Sequence, residues 1–437
     1  MDFVPATPRE TSQMCQRQGL SSVRDLYADI PDELLMQAPP DIGPGLSEMA
    51  LLREMRRVAS ENTVYEDVFT GAGAYRHFIP AAVEALASRE EFVTAYTPYQ
   101  PEMSQGILQS IFEFQTMICE LTGMDAANAS VYDGATAAAE ACLMTRERNR
   151  GKVLIAGTVS PQTLQTIQTY LIPAGMEPAT VGMSGGAADF DDLLAKLDDQ
   201  TAAVLVTSPN YYGIIEDVQA IAEVAHKAGA KLIVSVNPTA CGLLKSPGSL
   251  GADIAVGEGQ PLGIPLSFGG PYLGFMACAE KLLRKLPGRI VGQTTDAKGG
   301  RAFVLTLQAR EQHIRREKAG SNICSNQAWC ALRSAIYMSL MGPQGLKETA
   351  RQCWANAHYL QQCLEEIGYK RVHGKEFFHE FVTRCPKDHA QLQMLLDKHS
   401  ILGGLPLGDG TMLWCATELT GKAQIDRLIR IMKEVTA

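Results

Sequence analysis

The sequence predicts an α/β fold with a mostly parallel sheet in a large domain and a smaller α+β domain at the C-terminal end, and two observations predict it. Short β-rich runs, VLIAG (153–157), AAVLVTS (202–208), KLIVSV (231–236) and ADIAVG (252–257), alternate with helical stretches, the pattern of strands joined by crossover helices on both faces of one sheet. One crossover is complete in itself. Val218, Ile221, Ala222 and Ala225 fall on one helical face, Asp217 is placed to cap that helix, Gly229 to end it, and KLIVSV follows at once.

In chain order, residues 1–68 read as a helical arm suited to wrapping a neighbouring chain. Val23 to Tyr27 and residues 46–58 carry apolar residues at three- and four-residue steps, punctuated by Pro39, Pro40 and Pro44. Residues 69–320 hold the alternating strands and helices of the large domain. Residues 321–437 read as the small domain: helical patterns over 326–341 and 345–367 precede short strands near 378–383 and 412–415 and a final helix to Val435. No internal repeat is visible.

Composition narrows the function classes. A chain of 437 residues, 46% apolar and 20% charged, is long enough for one large core and one smaller one and is not a disordered chain. Its formal charge of −9 leaves no basic surface for nucleic acid, so the expected partners are small molecules or proteins. Eleven cysteines include no C-x-x-C pair, and the eight histidines show no H-E-x-x-H spacing, which argues against zinc or a disulfide framework. The N-terminus lacks a signal-peptide pattern and no run approaches 18 apolar residues, so a soluble cytoplasmic protein beginning near Met1, with no membrane partner, is expected.

Residues 205–275 resemble the core of pyridoxal-phosphate enzymes of the aspartate-aminotransferase type, in which a strand carrying an Asp precedes a loop carrying the Schiff-base Lys. That nucleophile is missing. No lysine lies between Lys245 and Lys281, Gln260-Pro261-Leu262 supplies no amine, and nothing before Lys152 can, since it is the first lysine of the chain. Lys245, followed by Ser-Pro-Gly, reads as a solvated loop lysine. Asn237 stands where the Asp would pair with a protonated ring nitrogen; a neutral amide supplies no such charge, and its plainer role is a turn before Pro238. Asp133-Gly134-Ala135-Thr136 opens an Ala-rich helix whose N-terminus could take an anion, although Asp133 reads more simply as its cap.

Other stretches stay open between two roles. Gly269-Gly270-Pro271 marks a turn between strands or a close backbone approach. The loop 95–106 gathers Tyr96, Tyr99, Gln100, Ser104 and Gln105 among prolines, a composition that suits a site or an interface better than a core. Arg310, Arg315, Arg316 and Lys318 form a basic segment, most simply a solvated or salt-bridged face.

Three long stretches, 96–141 (YTPYQPEMSQG…YDGATAAAEA), 256–275 (VGEGQPLGIPLSFGGPYLGF) and 308–328 (QAREQHIRREKAGSNICSNQA), closely resemble subunit 1 of the two-chain P-proteins, the glycine decarboxylases of the glycine cleavage system. The resemblance implies the pyridoxal-phosphate-dependent transferase fold and a subunit with no catalytic lysine of its own. Its partner, subunit 2, would hold pyridoxal phosphate covalently through a His-Lys motif. The implied reaction is decarboxylation of glycine with transfer of the aminomethyl group to the lipoyl arm of H-protein. Tyr96, Tyr99, Gln100, Ser104, Gln105 and Asn237 are the candidates for the interface or pocket. Asn237 departs from the Asp common in such subunits. The rival readings are a self-sufficient pyridoxal-phosphate lyase using a lysine such as Lys245, and a scaffold that only holds subunit 2 in shape.

Overall fold

A computed structural model describes residues 6–436 apart from 37, 39, 322, 324, 325 and 387, so the breaker expected at Pro39 lies outside the described residues. Contacts divide the chain into two compact units, Met1–Thr63 and Val64–Ala437.

The first unit contains the helices Pro8–Arg17 and Glu48–Ala59 and the 3-10 turns Val23–Tyr27 and Asp32–Leu34. The sequence reading overlooked Pro8–Arg17, yet its start is fully signposted. Thr7 and Glu10 form a reciprocal capping box with Pro8 in the first turn, so the helix's free N–H groups are satisfied locally. Val23–Tyr27 is a 3-10 turn; Ser22 and Asp25 form its own capping box.

The second unit is built on a seven-stranded sheet. Its spatial order is Ala126–Ala127, Gly274–Cys278, Ile254–Glu258, Lys231–Val236, Thr201–Thr207, Lys152–Ala156 and Glu177–Val181. The last five are mutually parallel and Gly274–Cys278 runs antiparallel to both its neighbours. Ile155, Leu205, Ile233 and Ile254 face one another across four strands, and all four are fully buried. Thr201–Thr207 is buried along nearly its whole length, which requires cover on both faces and explains why these strands read as apolar runs without alternation. The crossover helix Val218–Lys227 starts at Asp217, whose side chain accepts from Ala220 N, and buries Val218, Ile221, Ala222 and Ala225.

A second core forms around the antiparallel strands Glu380–Arg384, Thr411–Cys415 and Leu405–Pro406, with Trp414 fully buried among Leu360, Leu396 and Ile425. The helical density Ala328–Glu366 breaks at Gly342, whose φ of 60° and ψ of 179° are non-helical, next to Pro343. The two helical patterns expected on either side of that pair are therefore two helices. Among the described residues no helix is long and apolar enough to cross a membrane.

Candidate functional site

The order of the parallel strands reverses at Lys152–Ala156, whose chain successor Glu177–Val181 lies on one side while Thr201–Thr207 lies on the other. Open α/β sheets bind ligands outside the C-terminal strand ends at such a switch. A cleft of about 320 Å³ lies there, walled by Ser160, Thr207, Asn210, Asn237, Glu258 and the segment 72–75.

At the head of the helix Gly134–Met144, Asp133 Oδ1 accepts from Thr136 N at 2.7 Å, and Asp133 N donates to Thr136 Oγ1, a complete capping box. The next free donor, Gly134 N, reaches Glu258 Oε2 at 2.9 Å. Glu258 Oε1 accepts from Gln260 N and Leu273 N, also at 2.9 Å each. Burial nonetheless raises the pKa of Glu258 above the usual carboxylate value against the pull of these three N–H groups.

Gln260, where the resemblance would seek a lysine, is 1% exposed. Its amide clamps the backbone of Tyr75, accepting from Tyr75 N at 2.9 Å and donating to Tyr75 O at 2.8 Å, with a further bond to Ile264 O. Tyr75 in turn donates its hydroxyl to Glu380 Oε2 at 2.7 Å, while Ala72 N donates to Oε1, and burial pushes the Glu380 carboxyl up to about 7.

Asn237 walls the cleft: its Oδ1 accepts from Thr239 N, the expected turn, and its Nδ2 lies 3.2 Å from His379 Nε2. Burial depresses His379 to about 3, so the ring is neutral and accepts here. None of the cleft's lining residues is a lysine. Lys152 pairs with Asp198, Lys281 with Asp253, and Lys245 is exposed beside a different hollow.

Pyridoxal phosphate would need an amine, an anion for its ring nitrogen and free donors for its phosphate. Gln260, the neutral Asn237 and the occupied Gly134 N offer none of the three, so these residues do not fit the cofactor. A different buried group, His77, Cys353 and Glu418, brings three possible metal ligands within 4.8 Å of one another. They already bond to each other, with His77 Nδ1 2.7 Å and Cys353 Sγ 3.3 Å from Glu418 Oε2.

The residues singled out in the loop 95–106 do not line this cleft. Tyr96 is 89% exposed and Gln100 is exposed; Ser104 is buried at the start of the helix Gln105–Thr122 and makes no side-chain cap. Gln105 pins the loop to the hairpin strand Arg301–Thr306, accepting from Phe303 N and donating to Phe303 O at 2.9 Å each. Tyr99, half exposed, accepts from Arg289 Nη2 at 3.3 Å and stands edge-on to His313.

Arg289 was not anticipated. It is 5% exposed, has no carboxylate within ion-pairing distance among the described residues, and its Nε has no partner. Three further buried atoms without partners, Arg310 Nε, Glu311 Oε1 and Asn128 Oδ1, lie on or beside the segment 286–289, whose carbonyls bind Arg310 and Asn128. Arg310 thus points inward, while Arg315 and Lys318 border a neighbouring hollow of about 290 Å³ with Arg146, Arg284 and Glu140. Burial lifts Glu140 to about 7.

The family model described as glycine cleavage system P-protein matches residues 1–432. A probable glycine dehydrogenase (decarboxylating) subunit 1 from Desulfitobacterium hafniense is 50% identical over all of both chains. A crystal structure of glycine decarboxylase (P-protein) of the glycine cleavage system, in inhibitor-bound form, superposes with a TM-score of 0.94 at 44% identity over all of both chains. At the level of fold alone, alanine–glyoxylate aminotransferase from Nostoc sp. matches with a TM-score of 0.59 at 17% identity, covering 93% of this chain and 100% of that one.

Proposed function

The chain belongs to the glycine cleavage system P-protein family as subunit 1 of a split glycine dehydrogenase (decarboxylating), and from that premise we propose how its residues share in the reaction. The substrate is glycine, the acceptor of the aminomethyl group is the lipoyl arm of H-protein, and pyridoxal phosphate is held covalently by subunit 2 in the cytoplasm. Bound there, the cofactor supplies the electron sink for decarboxylation. This chain supplies a wall of that site from across the interface, with residues 1–68 as an arm, 69–320 as the large domain and 321–437 as the small domain.

One observation carries this reading: the unfinished polar cluster beside the loop 95–106. Buried polar groups are normally paired, and a buried guanidinium without a carboxylate is costly unless an anion from elsewhere completes it. Arg289 donates to Tyr99, which leaves the Tyr99 hydroxyl hydrogen free to be donated onward. Tyr99 therefore presents a donor to the glycine carboxylate or the cofactor phosphate in subunit 2, and Tyr96, on the same exposed loop, is a second candidate for that contact. Gln100 lies on the same exposed loop, Ser104 and Gln105 fix its base, and Asn237 shapes this chain's own cleft. A self-sufficient lyase is disfavoured by a cleft without an amine, and a pure scaffold by a buried cation left without its counter-charge.

Tyr96→Phe and Tyr99→Phe in the complex with subunit 2 test the reading. Each removes one charge-assisted hydrogen bond, so glycine–bicarbonate exchange should fall by roughly one to two orders of magnitude while assembly is unchanged. Wild-type exchange at subsaturating glycine in both variants would return the loop to a structural role.

A further inference from the structure

We propose that this chain's own switch-point cleft is closed to phosphate from within: the Glu258 carboxylate is a resident anion, seated where the phosphate of a cofactor would have to sit. A phosphate at a helix N-terminus is held by free backbone N–H groups of the first turn. Here Gly134 N is taken by Glu258 and Thr136 N by Asp133. The three partners of Glu258, on Gly134, Gln260 and Leu273, are all donors, so the site is furnished for a carboxylate and already complete.

The packing around Glu258 is close as well. A Cβ built on Gly134 would stand 2.9 Å from both Glu258 N and Glu258 Cβ, so the helix start and the end of the strand Ile254–Glu258 are in direct contact. Asp133 also lines the cleft, so a dianion approaching from solvent meets the carboxyl groups of Asp133 and Glu258. The absence of a lysine is thus one of two independent obstacles: restoring an amine would leave Gly134 N and Thr136 N, two donors of the first turn, still occupied by carboxylates.

The test uses the assembled complex with the cofactor site of subunit 2 saturated, titrated with inorganic phosphate against chloride at matched ionic strength. In wild type, phosphate should give no added thermal stability and no density at Gly134 N. In Glu258→Ala the freed donors should bind phosphate roughly tenfold or more tightly than wild type does, seen as a phosphate-dependent rise in Tm and density within hydrogen-bonding distance of Gly134 N. Glu258→Gln keeps the side chain's volume and removes its charge; it should give a smaller gain of the same sign, and decides the matter alone if Glu258→Ala does not fold. Phosphate binding in the wild-type cleft, or folded variants that bind no more tightly than wild type, would overturn the proposal. Either result can arise whether or not the Tyr96 and Tyr99 variants lose exchange, so the two readings fail separately.

Discussion

The cleft at the strand ends and the edge around Arg289 invert the usual relation between shape and function. The cleft is concave and lies at the topological switch point, yet Glu258, Gln260 and Glu380 are each satisfied by groups of the same chain. The edge is an exposed loop over a hairpin, and it is there that Arg289, Arg310, Glu311 and Asn128 keep buried atoms without partners. Behind the cleft His379 Nδ1 also lacks a partner, so the contrast rests on the charged groups: the cleft's carboxylates are met by donors of this chain, whereas the Arg289 guanidinium has no carboxylate beside it.

The largest expected effect is at the edge. Arg289→Met in the complex should cost about 2 to 5 kcal/mol of the interaction with the partner's anionic groups, which lowers glycine–bicarbonate exchange by a factor of thirty or more on the scale of about 1.4 kcal/mol per decade. Its Tm should hold or rise, because no ion pair inside the chain is lost. A large fall in Tm with normal exchange would make Arg289 structural and erase the contrast.

Next comes pH, in the cleft. Glu380 is raised to about 7 by burial, so its folded form favours the proton. Its stabilising contribution is complete below the unfolded value near 4.5 and is lost as pH rises through about 7. Glu380→Gln should remove that dependence, leaving the variant more stable than wild type at pH 8 by roughly 3 kcal/mol, with Glu140 preserving a residual slope of the same sign. Denaturation midpoints at pH 5 and pH 8 check this; equal slopes in variant and wild type would refute it.

Gln260→Leu sharpens the contrast from the other side. It strips the paired backbone groups of Tyr75 and should cost about 2 kcal/mol of stability, read as a lower Tm, with the KM for glycine unchanged. The smallest signal is chemical. Borohydride reduction of this subunit after exposure to pyridoxal phosphate should label lysines only sparsely and at scattered positions, and stoichiometric labelling of one lysine would reveal a working site in the cleft.

Strands were legible because burial on both faces writes itself as apolar runs, and the helix break was legible because Gly342-Pro343 interrupts the pattern. Pro8–Arg17 carried an equally plain capping box and was overlooked. At the site, the missing amine was readable as an absence, and the cap at Asp133 as a local motif. Glu258 was not readable, because its meaning depends on Gly134, 124 residues away in sequence, and on backbone N–H groups that every residue carries. Arg289 was hidden for a related reason: one arginine in the run LPGRIVG signals nothing until the fold buries it without a counter-charge.

The close contact at Gly134 also constrains which mutational routes remain passable. Any side chain at 134 collides with Glu258, and a lysine at 260 would lose the amide that holds Tyr75 while bringing a buried charge into a cleft whose Gly134 N and Thr136 N are already taken. Each step toward a second working centre is harmful until the others have been taken. The geometry therefore acts as a ratchet: a single substitution at 134 or 260 costs stability without creating a cofactor site.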